Sequence, residues 1–230
     1  MNRIHKPKRR IHLGLLATAA VLAAMMVPAA SASAASPLWQ TGTTTGTMSQ
    51  LTGSQAVTAS LPESMHVHTQ LFKEHVDIVA TGIECVGCKI ENTGSGATAA
   101  ATGTGTIKLT GATIPSKPGC EVRTVLSSGA EVPGVQFQPL KWKVEGPSTV
   151  AFSTVSGGYI WSARITGETC SVAGKFNLNG NPVGVPTSAF YIPSLTRKLQ
   201  FSGGWPFEGS LALEGTISQA LSSGLYWSAK

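Results

Sequence analysis

The stretch CVGCKIENTGSGATAAATGTGTIKLTGATIPSKPGC, residues 85–120, contains the clearest pattern in the chain. From residue 97 to residue 110, odd positions are small or apolar, and even positions are mostly threonine or lysine, with Ala100 as the exception. An alternation with a period of two places one face of a segment against a core and the other against water. The pattern therefore predicts a β-strand over residues 97–110, bent at its glycines.

The same stretch contains Cys85, Cys88 and Cys120, and the fourth cysteine of the chain is Cys170. An even number of cysteines in an exported chain indicates disulfides rather than a redox or zinc motif. Three pairings are open: Cys85–Cys88 with Cys120–Cys170, Cys85–Cys120 with Cys88–Cys170, and Cys88–Cys120 with Cys85–Cys170. We favour the last, although geometry and not loop length decides which bridge forms.

The first 34 residues have the organisation of a secretory signal peptide. Residues 1–12 are basic, residues 13–27 are an apolar run, and small-x-small cleavage sites follow Pro28. The run is shorter than the roughly 20 residues that span a bilayer. We therefore expect a helical signal peptide over residues 1–34, a secreted extracellular protein, and no membrane attachment after cleavage. The Arg9-Arg10 pair leaves a twin-arginine export route open as an alternative.

The net charge of +6 comes mostly from this leader. Five of the 17 lysines and arginines lie in residues 1–12, which leaves 12 against 11 acidic residues. Nucleic-acid binding needs a clustered basic surface. The scattered cations of residues 35–230 therefore exclude a nucleic-acid partner.

Outside residues 85–120, short alternating runs recur between turns rich in Gly, Pro and Asn. In residues 140–145, for example, Leu140, Trp142 and Val144 alternate with charged residues. Such runs predict an all-β fold, an antiparallel sandwich or a barrel-like single domain over residues 61–230. Residues 35–60, rich in Thr, Ser and Gly, predict a flexible or weakly paired segment. Residues 61–80 also fit a helical stripe, but their β-branched residues favour strands.

Five short motifs stand out in the chain: CVGCKIEN (85–92), GTGTIKLTG (103–111), PGCEV (118–122), FQP (137–139) and TCSVAGKFNLNG (169–180). Together they resemble a family of uncharacterised secreted proteins of soil actinobacteria, rich in β-structure and containing four cysteines. The resemblance implies secretion, a four-cysteine framework and an all-β fold. It implies no activity, ligand or catalytic residue.

His66 and His68 are the candidate metal ligands, because alternate residues of a strand share one face. No carboxylate cluster lies beside them in the sequence, so we interpret them as two solvent-facing histidines and expect no metal and no cofactor. His75 would share a face with Asp77, the only aspartate in the chain.

No catalytic residue is predicted. There is no Gly-x-Ser-x-Gly motif, and the sequence marks no carboxylate pair as a glycosidase site. The glutamates that were considered are Glu121, Glu131, Glu145, Glu168, Glu208 and Glu214.

Among the tryptophans, Trp142 and Trp161 are predicted to lie in the core, and Trp205 and Trp227 to be exposed contact residues. The sequence thus predicts a non-enzymatic extracellular or cell-wall-associated binding or structural module. Its expected partner is a cell-wall polysaccharide or another surface protein. The alternatives are a secreted hydrolase with an unrecognised site and a metal-binding module built on His66 and His68.

Overall fold

The structure is a computed structural model that describes residues 36–230. The predicted signal peptide, residues 1–34, lies outside the described residues. Within residues 36–230, no helix has the length and apolar character needed to cross a membrane. Apart from a 3-10 turn at Gly96–Thr98, the regular structure of this part is β-strand. The strands are β1 (Trp39–Gly42), β2 (Ser49–Gln50), β3 (Ser54–Ser60), β4 (Met65–Leu71), β5 (Glu74–Ala80), β6 (Gly82–Thr93), β7 (Ala100–Thr110), β8 (Glu121–Val125), β9 (Glu131–Pro133), β10 (Val135–Gln136), β11 (Leu140–Val144), β12 (Val150–Thr154), β13 (Trp161–Thr166), β14 (Gly174–Leu178), β15 (Val183–Pro186), β16 (Thr196–Phe201), β17 (Leu211–Leu221) and β18 (Tyr226–Ala229).

Eight of these strands close into an antiparallel barrel. They pair in the order β16–β15–β12–β11–β7–β6–β3–β17, and the pairing of β17 with β16 completes the ring. The predicted all-β antiparallel fold is confirmed, in its barrel-like form. Strands β14, β13, β8 and β9 form a separate sheet, as do β18, β1 and β2.

The hairpin β6–β7 carries the period-two pattern that dominates the sequence. In β7, Ala101, Ile107 and Leu109 are buried, whereas the threonines between them are partly exposed. A Cβ atom added at Gly103 would lie 2.2 Å from the ring of Trp142 on the neighbouring strand β11. Glycine at this position therefore allows the tryptophan to pack flat against the strand.

Buried side chains fill the interior of the barrel. The cavity lined by Met65, Ile107, Phe152 and their neighbours has a volume of about 10 Å³. A cavity of that size holds one water molecule at most. This cavity is therefore too small for an organic ligand.

The N-terminal segment is held by the C-terminal strand. Residues 35–60 were predicted to be a flexible or weakly paired segment, and the described residues 36–60 contain β1, β2 and β3. Trp39 pairs with Ala229 across β1 and β18 and is 1% exposed. Its indole N–H donates to the carbonyl oxygen of Thr102 at 2.7 Å. Burial of this large ring offsets the low apolar content of the segment.

Trp227 is also buried, so the prediction that it is exposed was wrong. Its ring packs against Trp39, with the centroids 5.3 Å apart. Strand β18, which contains Trp227, hydrogen bonds to β1 on one side, and this pairing turns the ring inward. Trp142 and Trp161 lie in the core as predicted.

Arg197 on β16 packs over the Trp227 ring, with its guanidinium carbon 5.2 Å from the ring centroid. It is fully buried, and its guanidinium donates hydrogen bonds to the carbonyl oxygens of Ser188, Ala189, Ile192 and Trp227. Burial lowers the pKa of Arg197 to about 10, so the group is still charged at neutral pH. The guanidinium thus joins the loop before β16 to the C-terminal strand.

The disulfides are Cys85–Cys88 and Cys120–Cys170, so the crossed pairing that we favoured was wrong. Strand β6 bulges between Val86 and Lys89, and Gly87 there has a φ of 63°. The bulge brings the Cα atoms of Cys85 and Cys88 to 5.5 Å, a normal disulfide separation. Cys120 and Cys170 flank the ends of the paired strands β8 and β13, which places them together.

The two disulfides should differ in their contribution to stability. The Cys120–Cys170 bridge closes a loop of 50 residues, whereas Cys85–Cys88 spans 3. Chain entropy predicts that the double Cys→Ala variant at positions 120 and 170 loses roughly 4 kcal/mol of unfolding free energy, and the variant at positions 85 and 88 roughly 2 kcal/mol. Urea denaturation of both variants would measure this. An equal loss in both would contradict the loop-length argument.

Residues 61–80, which were ambiguous in the sequence, form the hairpin β4–β5 and contain no helix. This hairpin extends the barrel sheet through β17, whose first part pairs with β4 and whose second part pairs with β3. The change of partner falls at Gly215, which has a φ of 130°. The bend at this glycine lets the hairpin leave the wall of the barrel.

Candidate functional site

The outer face of β5, β4 and β17 carries an unusual set of polar side chains. His68 lies opposite Asp77 in the β4–β5 ladder, and His66 lies opposite Glu214 in the β4–β17 ladder. The inward side chains of the same strands, such as Val67 and Ile78, are fully buried. Because side chains alternate between the two faces of a strand, the apolar residues pack into the core and the histidines and carboxylates point to the outer face.

Asp77 lies between the two imidazoles. His66 Nδ1 is 3.0 Å from Asp77 Oδ2 and 3.1 Å from Asp77 Oδ1. His68 Nδ1 lies 3.5 Å from Asp77 Oδ1. The two rings are stacked, with centroids 5.9 Å apart. One carboxylate thus faces the Nδ1 atoms of both histidines.

Glu214 contacts His68 at Nε2, on the edge of the ring opposite the Nδ1 atom that faces Asp77. Its Oε2 atom is 2.9 Å from His68 Nε2. A carboxylate accepts hydrogen bonds, so this contact places a proton on Nε2. In a neutral imidazole, the other nitrogen then carries a lone pair. Glu214 therefore presents His68 Nδ1 as an acceptor or a metal ligand.

His68 Nδ1 is buried and makes no hydrogen bond, although it lies near Asp77. The residue as a whole is only 8% exposed. A buried polar atom without a partner is costly and calls for an explanation. A bound cation would supply the missing partner.

Trp205 covers this face of the hairpin. It lies in residues 202–210, between β16 and β17, and its ring centroid is 4.6 Å from that of His68 and 4.7 Å from that of His75. The tryptophan itself is 52% exposed, and Phe207 nearby in the same loop is 78% exposed. Trp205 therefore shields His68 from water and keeps an aromatic surface open to solvent.

The two candidate ligands of the sequence, His66 and His68, meet Asp77 in a group suited to a metal ion. The ligand atoms of the three residues all lie within 4.8 Å of one another. Bonds of about 2.0–2.1 Å to a tetrahedral Zn²⁺ place the donor atoms about 3.3 Å apart. Side-chain rotations that close the group by at most about 1.5 Å would therefore complete the site.

Two expectations about these residues need correction. His68 is buried, whereas we interpreted it as facing solvent, because the loop with Trp205 folds over it. We also found no carboxylate cluster in the sequence, yet the fold brings Asp77 and Glu214 to the histidines. His75 shares the outer face with Asp77 as predicted, but is not in the ligand group.

The sequence did not reveal that His68 lies next to Asp77, because this depends on the register of the β4–β5 hairpin. A two-residue turn at Phe72 and Lys73 places His68 opposite Asp77. Both turn residues have positive φ, 51° and 65°, a conformation that Asn and Gly usually supply. A turn made of Phe and Lys cannot be recognised from residue type, so the register was not readable.

The arrangement does not match the hydrolytic sites that we considered. The side-chain hydrogen bonds of His66 and His68 go only to the carboxylates of Asp77 and Glu214. In the described part of the chain, no serine hydroxyl bonds to either ring, as a catalytic triad would require. Two of the other glutamates form ion pairs elsewhere in the fold, Glu121 with Arg123 and Glu131 with Arg164. Glu208 forms an isolated β-bridge with Gln70 of β4.

No protein family, curated protein or solved structure matches this chain significantly. The resemblance to secreted actinobacterial proteins therefore stays a prediction. The fold and the site define the class that can be stated: a disulfide-linked antiparallel barrel with a histidine–carboxylate cluster on its outer surface.

Proposed function

We propose that this protein is an exported β-domain that binds a divalent transition-metal ion, Zn²⁺ in the first place. The ligands are His66, His68 and Asp77. The observation that carries the proposal is the buried Nδ1 atom of His68, which has no hydrogen-bond partner and lies beside two other ligand atoms.

The donor set selects the class of metal. Two imidazoles with one carboxylate suit Zn²⁺ and Cu²⁺, whereas Ca²⁺ and Mg²⁺ prefer sites made of oxygen atoms. Glu214 adds the carboxylate that commonly orients a metal-bound histidine through its second nitrogen. A site that only balanced surface charges would not need this second interaction.

The composition of the site also supports metal binding. The chain has five histidines and one aspartate. All three histidines of the described part lie on this face of the β4–β5 hairpin, together with the aspartate. Structural surface histidines would be expected to scatter over the barrel.

Export is part of the proposal. Two disulfides are compatible with an extracellular protein, since such bonds persist in oxidising compartments. Secretion is supported by the signal-like pattern of residues 1–34. An extracellular module of this kind would take up its metal outside the cell.

Titration of the purified protein with Zn²⁺ tests the function. We expect one equivalent to bind, measured by calorimetry. In NMR spectra, the imidazole signals of His66 and His68 should shift, and a Cu²⁺ titration should broaden them. His75 is outside the ligand group and should respond less. If calorimetry detected no heat and neither imidazole signal moved, the proposal would be wrong.

A second candidate is a surface module that binds a polysaccharide or another protein. The exposed rings of Trp205 and Phe207 favour it, because exposed aromatic residues commonly contact sugars and partners. A screen of the protein against cell-wall and polysaccharide fractions tests this candidate. Retention that is lost in Trp205→Ala supports it, and no retention by any fraction excludes polysaccharide binding.

A further inference from the structure

The metal centre leaves one coordination position without a protein ligand. The group contains three donors, and Zn²⁺ usually takes four. Glu214 cannot supply the fourth while its carboxylate holds His68 Nε2, because that nitrogen is on the opposite edge of the ring from Nδ1. No other His, Cys, Asp or Glu of the described residues joins the group.

Solvent reaches two of the three proposed ligands. The side chains of His66 and Asp77 are 38% and 31% exposed. Sites with three protein ligands and access to solvent exchange their fourth ligand, whereas structural zinc sites are closed. A molecule from solution could therefore bind directly to the metal.

The charge of the centre selects an anionic donor. Asp77 neutralises one of the two positive charges of the metal, and the histidines bind as neutral groups. A net charge of about +1 at the open position favours a carboxylate oxygen, which is a common Zn²⁺ ligand. Glu214 contacts His68 Nε2 and is not one of the three ligands.

The exposed Trp205 ring beside the proposed metal site favours a ligand that has a ring next to its carboxylate. Trp205 packs on His68 with one part of its ring and remains 52% exposed. A ring with an apolar C–H face can stack on such a tryptophan while its carboxylate reaches the metal next to it. The pyranose ring of an acidic sugar combines these two features in one residue.

We propose that the metal-loaded site binds an acidic saccharide, with the carboxylate on the metal and the sugar ring against Trp205. This inference rests on the proposed metal binding. It makes recognition of the saccharide dependent on the metal, and it distinguishes uronic acids from neutral sugars. It also joins the histidine cluster and the exposed tryptophan in one ligand-binding surface.

Titration with glucuronic acid, with the Trp205 indole N–H signal followed by NMR, tests this inference. Glucose is the matched neutral sugar and acetate is the carboxylate without a ring. Calorimetry first establishes that Zn²⁺ binds. We then expect glucuronic acid to bind at least about tenfold more tightly to the Zn²⁺-loaded protein than to the metal-free protein, and more tightly than glucose or acetate.

A pair of variants separates the tryptophan from general surface effects. At saturating Zn²⁺, with metal loading checked by calorimetry, Trp205→Ala should weaken glucuronic acid binding about five- to tenfold, in keeping with the loss of one stacked ring. Tyr191→Ala removes another aromatic residue that is 58% exposed and should change nothing. Zn²⁺ binding without glucuronic acid binding would overturn this inference alone. Equal affinities for glucuronic acid and acetate, or binding that does not require the metal, would also overturn it.

Discussion

Replacing His68 by glutamine is expected to lower the Zn²⁺ affinity of the protein more than about 100-fold. Loss of a partner that only orients a ligand typically costs 10- to 100-fold, and His68 itself is a proposed ligand. Glutamine keeps much of the size of the side chain under Trp205 but has no imidazole nitrogen. Calorimetric titration of the variant and the wild type measures the difference.

His75→Gln is the matched control for this experiment. His75 lies on the same hairpin face and contacts the same Trp205 ring, but it is outside the ligand group. Its Zn²⁺ affinity should stay within about twofold of the wild type, as for a residue that makes no bond to the metal. A circular dichroism melt of both variants checks the fold. Equal affinities of the folded His68→Gln variant and the wild type would contradict the assigned ligands.

Glu214→Gln provides an intermediate case. The amide can rotate its NH₂ group toward His68 Nε2, so the variant no longer fixes the proton on that nitrogen. We expect Zn²⁺ affinity to fall about 10- to 100-fold, which is less than the effect of losing His68. An unchanged affinity would show that Glu214 does not orient His68 for the metal.

Arg197→Met is expected to destabilise the protein by about 3–5 kcal/mol. The substitution removes the charged donor of four hydrogen bonds to backbone carbonyl oxygens, and a carbonyl left without a partner carries a desolvation cost. It also removes the cation from between the rings of Phe190 and Trp227, which lie 4.6 Å and 5.2 Å from the guanidinium carbon. Urea denaturation measures the change in unfolding free energy.

Lys198→Met is the matched control, since it makes a similar change at the next position of β16, on the exposed face. Surface substitutions of this kind usually change stability by no more than about 0.5 kcal/mol. Arg197→Lys keeps the charge but loses the planar fork, and it should also be clearly destabilised. If Arg197→Met and Lys198→Met unfold at the same urea concentration, the buried guanidinium does not hold the C-terminal strand.

Strand β7 shows which structural features a local sequence pattern can predict. Its alternation correctly predicted a strand and the face that is buried, because neighbouring side chains of a strand always point to opposite sides. The strand begins at Ala100, however, and the predicted residues 97–99 lie outside it. The same rule placed Trp142 in the core and gave His66 and His68 a common face. These features depend only on the alternation of side-chain direction along a single strand.

Disulfide pairing depends on a bulge and on contacts between strands, which the two-residue alternation within a strand does not describe. The bulge at Gly87 brings Cys85 to Cys88, and the β8–β13 ladder brings Cys120 to Cys170. Likewise, Arg197 and Trp227 are buried because β18 returns to β1. None of these pairings can be recognised from the types of the residues that form it.

The sequence by itself determined that the chain is all-β and which side chains of each strand point together. Tertiary structure alone decided that Asp77 and Glu214 would reach the two histidines, through the register of a Phe-Lys turn and the change of partners along β17. It also decided that Trp205 would cover them. The physical reason is that periodicity sets the direction of a side chain within its own strand, whereas a binding site needs the positions of several strands relative to one another.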